Sequence, residues 1–194
     1  MLGMPGVLHT DKNGNTRMID LTTRLLCDRI IMVTGTVTDE LAESVVAQML
    51  YLEAEDQDKP IKLFISGPGG SVLAGFSIID VMQNIKCPVH TIACGQIASM
   101  STTLFLSGAK GYRKIYPTTR VMLHQVSSGA QGNVNDMLIS MEETKKVNEI
   151  TLEHIAKCTG KTVKQLKKDF ERDRWWSAQE AIEYGIADVL VEKK

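Results

Sequence analysis

An α/β layered domain with a largely parallel sheet is the fold class this sequence predicts. Short apolar runs rich in β-branched residues alternate with longer stretches whose apolar positions recur at helical spacing. The turns between them repeatedly hold Gly, Pro or a Ser/Thr cap. Size agrees: 194 residues, 43% of them hydrophobic, suit one unit with a single sizeable core.

Taken in order, the opening twenty or so residues read as loop-like, with Asn13-Gly14-Asn15 marking a tight hairpin turn. RIIMV (29–33) reads as a short buried strand. Thr36 or Thr38 then offers an N-cap, because a hydroxyl can accept from an amide of the first helical turn. Leu41, Val45, Met49 and Leu52 follow on one helical face. IKLFIS (61–66) is a second strand, running into a Gly-Pro-Gly-Gly-Ser turn and the helix VLAGFSIIDVMQNI. VHTIA (89–93) is a strand, SMSTTLFLSG (99–108) a helix, and TRVMLH (119–124) a strand ending in histidine. A long amphipathic helix runs from about Asn133 to Lys157, and a shorter one covers about Lys164 to Glu171. SAQEAIEYG is a capped helix and IADVLVE a last strand. No repeat or linker divides the chain, so residues 1–194 are read as one domain.

The net charge is −1 and the basic residues are dispersed, apart from Lys161–Lys168, which reads as a solvated helix face. That leaves no electrostatic footprint for nucleic acid or an anionic membrane. Cysteines 27, 87, 94 and 158 lack Cys-x-x-Cys spacing, so neither a metal site nor a disulfide framework is expected, and free thiols suit a reducing cytosol. The N-terminus has no basic start and Pro5 breaks its apolar run, unlike a signal peptide. No stretch approaches the roughly 20 apolar residues of a membrane span. A cytoplasmic location is expected.

Such folds place sites where strands end and helices begin. Three junctions stand out: SGPGGS, GQIASM and MLHQ. Each alone is weak. The glycines around Pro68 lack both the Lys-Ser/Thr of a phosphate loop and the spacing of a dinucleotide fingerprint, and a tight turn explains them. Ser99 has two compatible readings, a helix cap and a nucleophile held where amide dipoles favour a developing oxyanion. His124 is a polar residue at a core edge or a base. His9, His90 and His154 are less well placed, in the head, early in a strand and on a helix. The order Ser99, His124, then a carboxylate in KKDFERDRWW differs from that of the α/β-hydrolases. With Gly-x-Ser-x-Gly absent, a nucleophile elbow is excluded while a triad stays open.

GPGGSVLAGFSIIDVMQ, GQIASM, GAKGYRKIYPTTRVMLHQ and ERDRWWSAQEAIEYGIADVL follow one another, with TRLL and VVAQMLYLEAE before them. From about Ile19 to the C-terminus the chain closely resembles the proteolytic subunits of the Clp protease, the ClpP family. Several separated motifs in order are far more specific than any one.

The resemblance implies a crotonase-like fold with layered sheets and a protruding handle helix. It implies Ser99 as nucleophile, His124 as general base and Asp173 as the acid that orients it, while Asp169 reads as a helix-face charge. The oxyanion donors would be the backbone N–H groups of Gly70 and Met100. Gly70 admits close backbone approach, and Met100 lies in a first turn whose amides have no helical acceptor. An extended peptide would add as a strand between GGSV and HQVSS, making Gly69, Ser71, Val72, Gln125, Val126 and Ser127 substrate-binding. Residues 1–18 would line an axial gate, and about 125–158 would form the handle region. There Met137, Met141, Val147 and Ile150 are inter-ring contacts or, alternatively, ordinary core. Glu171 and Arg172 match a charged pair linked to ring assembly. The implied partners are copies of the chain in two stacked seven-membered rings, or mixed rings with a paralogue. An AAA+ unfoldase such as ClpX, ClpA or ClpC would use the ATP and deliver unfolded polypeptide. No cofactor or metal belongs to the chain itself.

There are departures. Val126 stands where the family usually has proline, Ser101 where it often has glycine, and SGPGG in place of NSPGG. At the outer positions where the family binds its ATPase, Lys62 and Asn84 accompany Phe64, which weakens an apolar pocket. This points to a divergent paralogue. The other readings are a low-activity structural or regulatory ring subunit and, remotely, a crotonase-type acyl-CoA enzyme.

Overall fold

The computed structural model describes residues 5–10 and 13–192. The head is not loop-like. Gly6–Thr10 (β1) and Thr16–Asp20 (β2) form an antiparallel hairpin, in register from Gly6 opposite Asp20 to Thr10 opposite Thr16. Gly14, at φ 84°, supplies the left-handed residue that the turn needs. The expected gate segment is described only in part, because residues 1–4, 11 and 12 lie outside the described residues. A short helix that periodicity did not reveal, Leu21–Cys27 (α1), follows, its first turn capped by Asp20 Oδ1 accepting from the Thr23 amide at 2.9 Å.

Then come Ile30–Val37 (β3), Asp39–Glu55 (α2), Ile61–Gly70 (β4), Val72–Asn84 (α3), Val89–Ala98 (β5) and Met100–Leu106 (α4). Thr38 is the cap of α2, and Val45, Met49 and Leu52 face inward as their spacing predicts. The rest of the chain forms Arg113–Ile115 (β6), Arg120–Leu123 (β7), Val134–Thr159 (α5), Val163–Asp169 (α6), Arg174–Trp176 (β8), Ala178–Tyr184 (α7) and Val189–Leu190 (β9). β6 and β8, of three residues each, carry too little pattern to be seen in sequence.

The main sheet runs β3-β4-β5-β6-β9, all parallel, and β7 pairs with the far end of β5 while β8 joins β7 antiparallel. A bend makes this branching possible. Register shifts fall between Thr34 and Thr36 and between Ile65 and Gly67, and Gly35 and Gly95 have φ of 85° and 66°. Before the bend β5 pairs with β6 through Thr91–Ala93; after it, β5 pairs with β7 through Gln96–Ala98. The bent ends of β4, β5 and β7 converge, and they carry the three junctions singled out above.

The bend line is tight. A Cβ on Gly67 would lie 2.1 Å from the Gly35 carbonyl oxygen. Gly67→Ala is therefore expected to destabilise the fold by about 3 kcal/mol, since neither backbone can yield without breaking pairing. Thermal melting checks this, and an unchanged midpoint would contradict the packing described.

Ile31, Val33, Leu63, Ile65, Ala93, Ile97, Leu104 and Phe105 lie within one continuous core. Of α5, only Thr151, Leu152 and Ile155 are buried. The preceding turns stand clear, exposing Val134, Leu138, Ile139, Met141 and Ile150, so Met141 and Ile150 are not core residues. No helix among the described residues is long and apolar enough to cross a membrane.

Candidate active site

Ser99 occupies the single residue between β5 and α4. Its backbone sits at φ 52°, ψ −124°, a conformation that L-residues rarely adopt. Surrounding bonds impose it. The Ser99 amide donates to the Met122 carbonyl on β7 at 2.9 Å, and the Ser99 carbonyl accepts from Thr102 and Thr103 as α4 begins. Strain held by its surroundings in this way marks functional turns. Ser99 stands at the N-cap position, yet its side chain makes no cap bond. Its Oγ lies 2.9 Å from His124 Nε2 instead. Exclusion of an elbow thus needs correction. The strained strand-to-helix turn is present without the Gly-x-Ser-x-Gly signature, because the flanking space is cleared by Gly69 across the bend. A Cβ there would lie 2.7 Å from Ser99 Cβ and 2.8 Å from the Met100 nitrogen.

His124 follows the last residue of β7, and Asp173 precedes the first of β8. Pairing of Leu123 with Arg174 in the antiparallel ladder brings the two side by side. Asp173 Oδ1 is 3.5 Å from His124 Nδ1, an ion-pair separation longer than a hydrogen bond. The Asp173 side chain is 63% exposed and that of His124 26%. Gly70, Met100, Ser99 and His124 line one narrow cleft of about 50 Å³, with Val72, Gln125, Val126 and Ser127.

This arrangement can do acyl-transfer chemistry. An imidazole nitrogen faces a serine hydroxyl, a carboxylate stands behind the imidazole, and an amide of a helix start borders the same cleft. A protein-family model described as Clp protease matches residues 12–194. The chain belongs to the Clp protease family. Its mixed α/β architecture is accordingly the ClpP fold, and membership makes it a ClpP-type peptidase, a hydrolase of the serine class.

Several residues sit differently from their expected places in a Clp protease subunit. Gly69 does not line the cleft but packs beneath Ser99, and Ser71 caps α3, its Oγ accepting from the Ala74 amide at 3.2 Å. Glu171 and Arg172 are both exposed. Asp169 is no free helix-face charge. Arg174 Nη1 lies 2.6 Å from its Oδ1, and the Tyr184 hydroxyl donates to its Oδ2 at 2.6 Å. Burial, helped by that bond to Asp169, pushes the Tyr184 hydroxyl well above the ordinary phenol range. Arg174 also stacks over the rings of Trp176 and Tyr184, so this knot anchors the backbone next to Asp173.

Thr103, Leu123, Thr151 and Ile155 also line the cleft. Thr151 and Ile155 lie one turn apart on α5, which the amphipathic pattern assigned to a helix but not to this wall. Asn148 carried no signal at all, yet its Oδ1 accepts the Val126 amide at 3.0 Å. Alternate residues of an extended segment point their amides to opposite sides. Val126 is thus held by α5, while Gln125 and Ser127 on either side of it line the cleft. Asn148→Ala should raise KM for peptides about fivefold with little change in kcat; steady-state kinetics showing the loss in kcat alone would contradict this.

A second serine–histidine contact shows why proximity alone assigns nothing. Ser107 Oγ is 2.7 Å from His154 Nε2, but the Ser107 hydroxyl donates to the Thr103 carbonyl at 2.6 Å. The imidazole must then be the donor in this pair, the reverse of a base. Burial, with the Lys157 charge adding to it, holds His154 below its ordinary pKa.

Proposed function

We propose that the chain is the proteolytic subunit of an ATP-dependent Clp protease, a serine endopeptidase that hydrolyses unfolded polypeptide. The observation that carries this is the 2.9 Å contact between Ser99 Oγ and His124 Nε2, made by a serine strained at a strand–helix junction. His124 takes the hydroxyl proton as Ser99 Oγ attacks the peptide carbonyl carbon. The amides of Gly70 and Met100 hold the resulting oxyanion. His124 passes the proton to the leaving amine as the C–N bond breaks, and a water, deprotonated by the same imidazole, releases the acyl group from Ser99. Asp173 orients His124 and stabilises its charged form. No metal or organic cofactor enters these steps, and ATP is consumed by the partner unfoldase.

In this reading residues 1–194 are one peptidase domain working in the cytoplasm, in two stacked seven-membered rings or in mixed rings with a ClpP paralogue. The exposed apolar side chains along α5 support burial against another ring. A second reading, a subunit of low intrinsic activity, is favoured by the open His124–Asp173 separation of 3.5 Å with Asp173 largely in water. Glu171 and Arg172, exposed beside Asp173, are where assembly would tighten that link. Hydrolysis of a fluorogenic peptide by the chain alone, then with a ClpP paralogue added, separates the two. Turnover alone supports a self-sufficient peptidase, turnover only in the mixture supports the second reading, and none in either sinks the proposal.

A further inference from the structure

We infer that Ser101 is a positioning residue for the oxyanion-binding amides, acting through Gly69; the inference rests on the assignment of Ser99 as nucleophile. Ser101 is 2% exposed, and its Oγ accepts the Gly69 amide at 3.1 Å. The ladder explains why that amide needs such a partner. Pairing between β4 and β5 ends at Gly67 opposite Ile97, so beyond it β4 runs beside the start of α4 and not beside a strand. Gly69 keeps its pairing with Thr36 on the β3 side. On the other side the Ser101 hydroxyl stands where a strand carbonyl would be.

The consequence falls on Gly70. Gly69 and Gly70 have φ of 95° and 149°, and two successive glycines are free to move through many conformations unless tied. An oxyanion hole works only when its donors are fixed before charge develops. Ser101 is the residue after Met100, so one turn of α4 both carries the Met100 amide and, through this hydroxyl, holds the strand bearing the Gly70 amide. The niche is closed on its far side: a Cβ on Gly67 would lie 3.1 Å from Ser101 Oγ.

The test compares Ser101→Ala and Ser101→Gly in the full-length assembled protein. The readouts are kcat and KM on a fluorogenic peptide and Ki for a peptide aldehyde, whose adduct places an oxygen in the same hole. Alanine removes the acceptor but keeps the Cβ, leaving a gap too small for a water, whereas glycine clears enough room for a water to accept from Gly69. The expected order of kcat is wild type, then Gly, then Ala. Ala should lose about tenfold, with Ki rising in parallel and KM within about twofold. A residue that only stabilised α4 would order the variants the other way, because alanine is the better helix former. Ala at or above Gly in kcat, or a loss confined to KM, overturns the inference. If Ala fails to assemble, wild-type kcat and Ki in the Gly variant overturn it equally. Failure of wild-type Ser99 to react with a fluorophosphonate, even in mixed rings with a ClpP paralogue, would instead overturn the assignment beneath it.

Discussion

Ser99→Ala should abolish peptide hydrolysis, with a fall of about 10⁴-fold or more in kcat, and leave fold and assembly intact. The size follows from losing the atom that forms the acyl bond, so that only binding and the amide donors remain to act on the peptide. The structural silence follows from the local geometry. Replacing a capping serine by alanine commonly costs about 1 kcal/mol, but the Ser99 side chain makes no cap bond to lose. Serine and alanine meet the same backbone strain at φ 52°. Kinetics paired with a thermal melt therefore give a clean readout. Retained turnover, or a collapse in melting temperature that accounts for the loss, would contradict the assignment.

The second large effect separates two neighbouring acids. Asp173→Asn is expected to lower kcat by about 10²-fold with an unchanged melting temperature. It removes the negative charge behind His124 while leaving a side chain of the same shape. A fully buried acid in this role is worth more, but Asp173 is 63% exposed and 3.5 Å away. Asp169→Asn should do the reverse. It breaks the ion pair with Arg174 and weakens the Tyr184 bond, so melting should fall by several degrees while turnover per folded molecule stays within about threefold. If Asp169→Asn showed the larger kinetic loss, the wrong acid would have been chosen.

What was legible in the sequence depended on the length and environment of each element. α2, α3 and α5 repeat an apolar face over several turns, and caps such as Thr38 before α2 and Ser177 before α7 announce helix starts. A buried parallel strand such as β3 opens on an uninterrupted apolar run, IIMV. β6 and β8 were invisible because three residues cannot display a period, and α1 because it buries no residue and so shows no apolar face. The site divides in the same way. Ser99, His124 and Asp173 were named through the family motifs. The bend that unites them was not, because Gly35, Gly67 and Gly95 lie far apart in sequence and meet only when three strands pair. The grip of Asn148 on Val126 and of Ser101 on Gly69 depends on which way a single amide points, and no local pattern encodes that.

The most direct test of the central claim is intact mass spectrometry after treatment with a fluorophosphonate probe, with Ser99→Ala as the control. One adduct on the wild type and none on the variant is the result predicted for a serine activated by His124. Adducts of equal mass on both proteins, or none on the wild type even in mixed rings with a ClpP paralogue, would contradict the account.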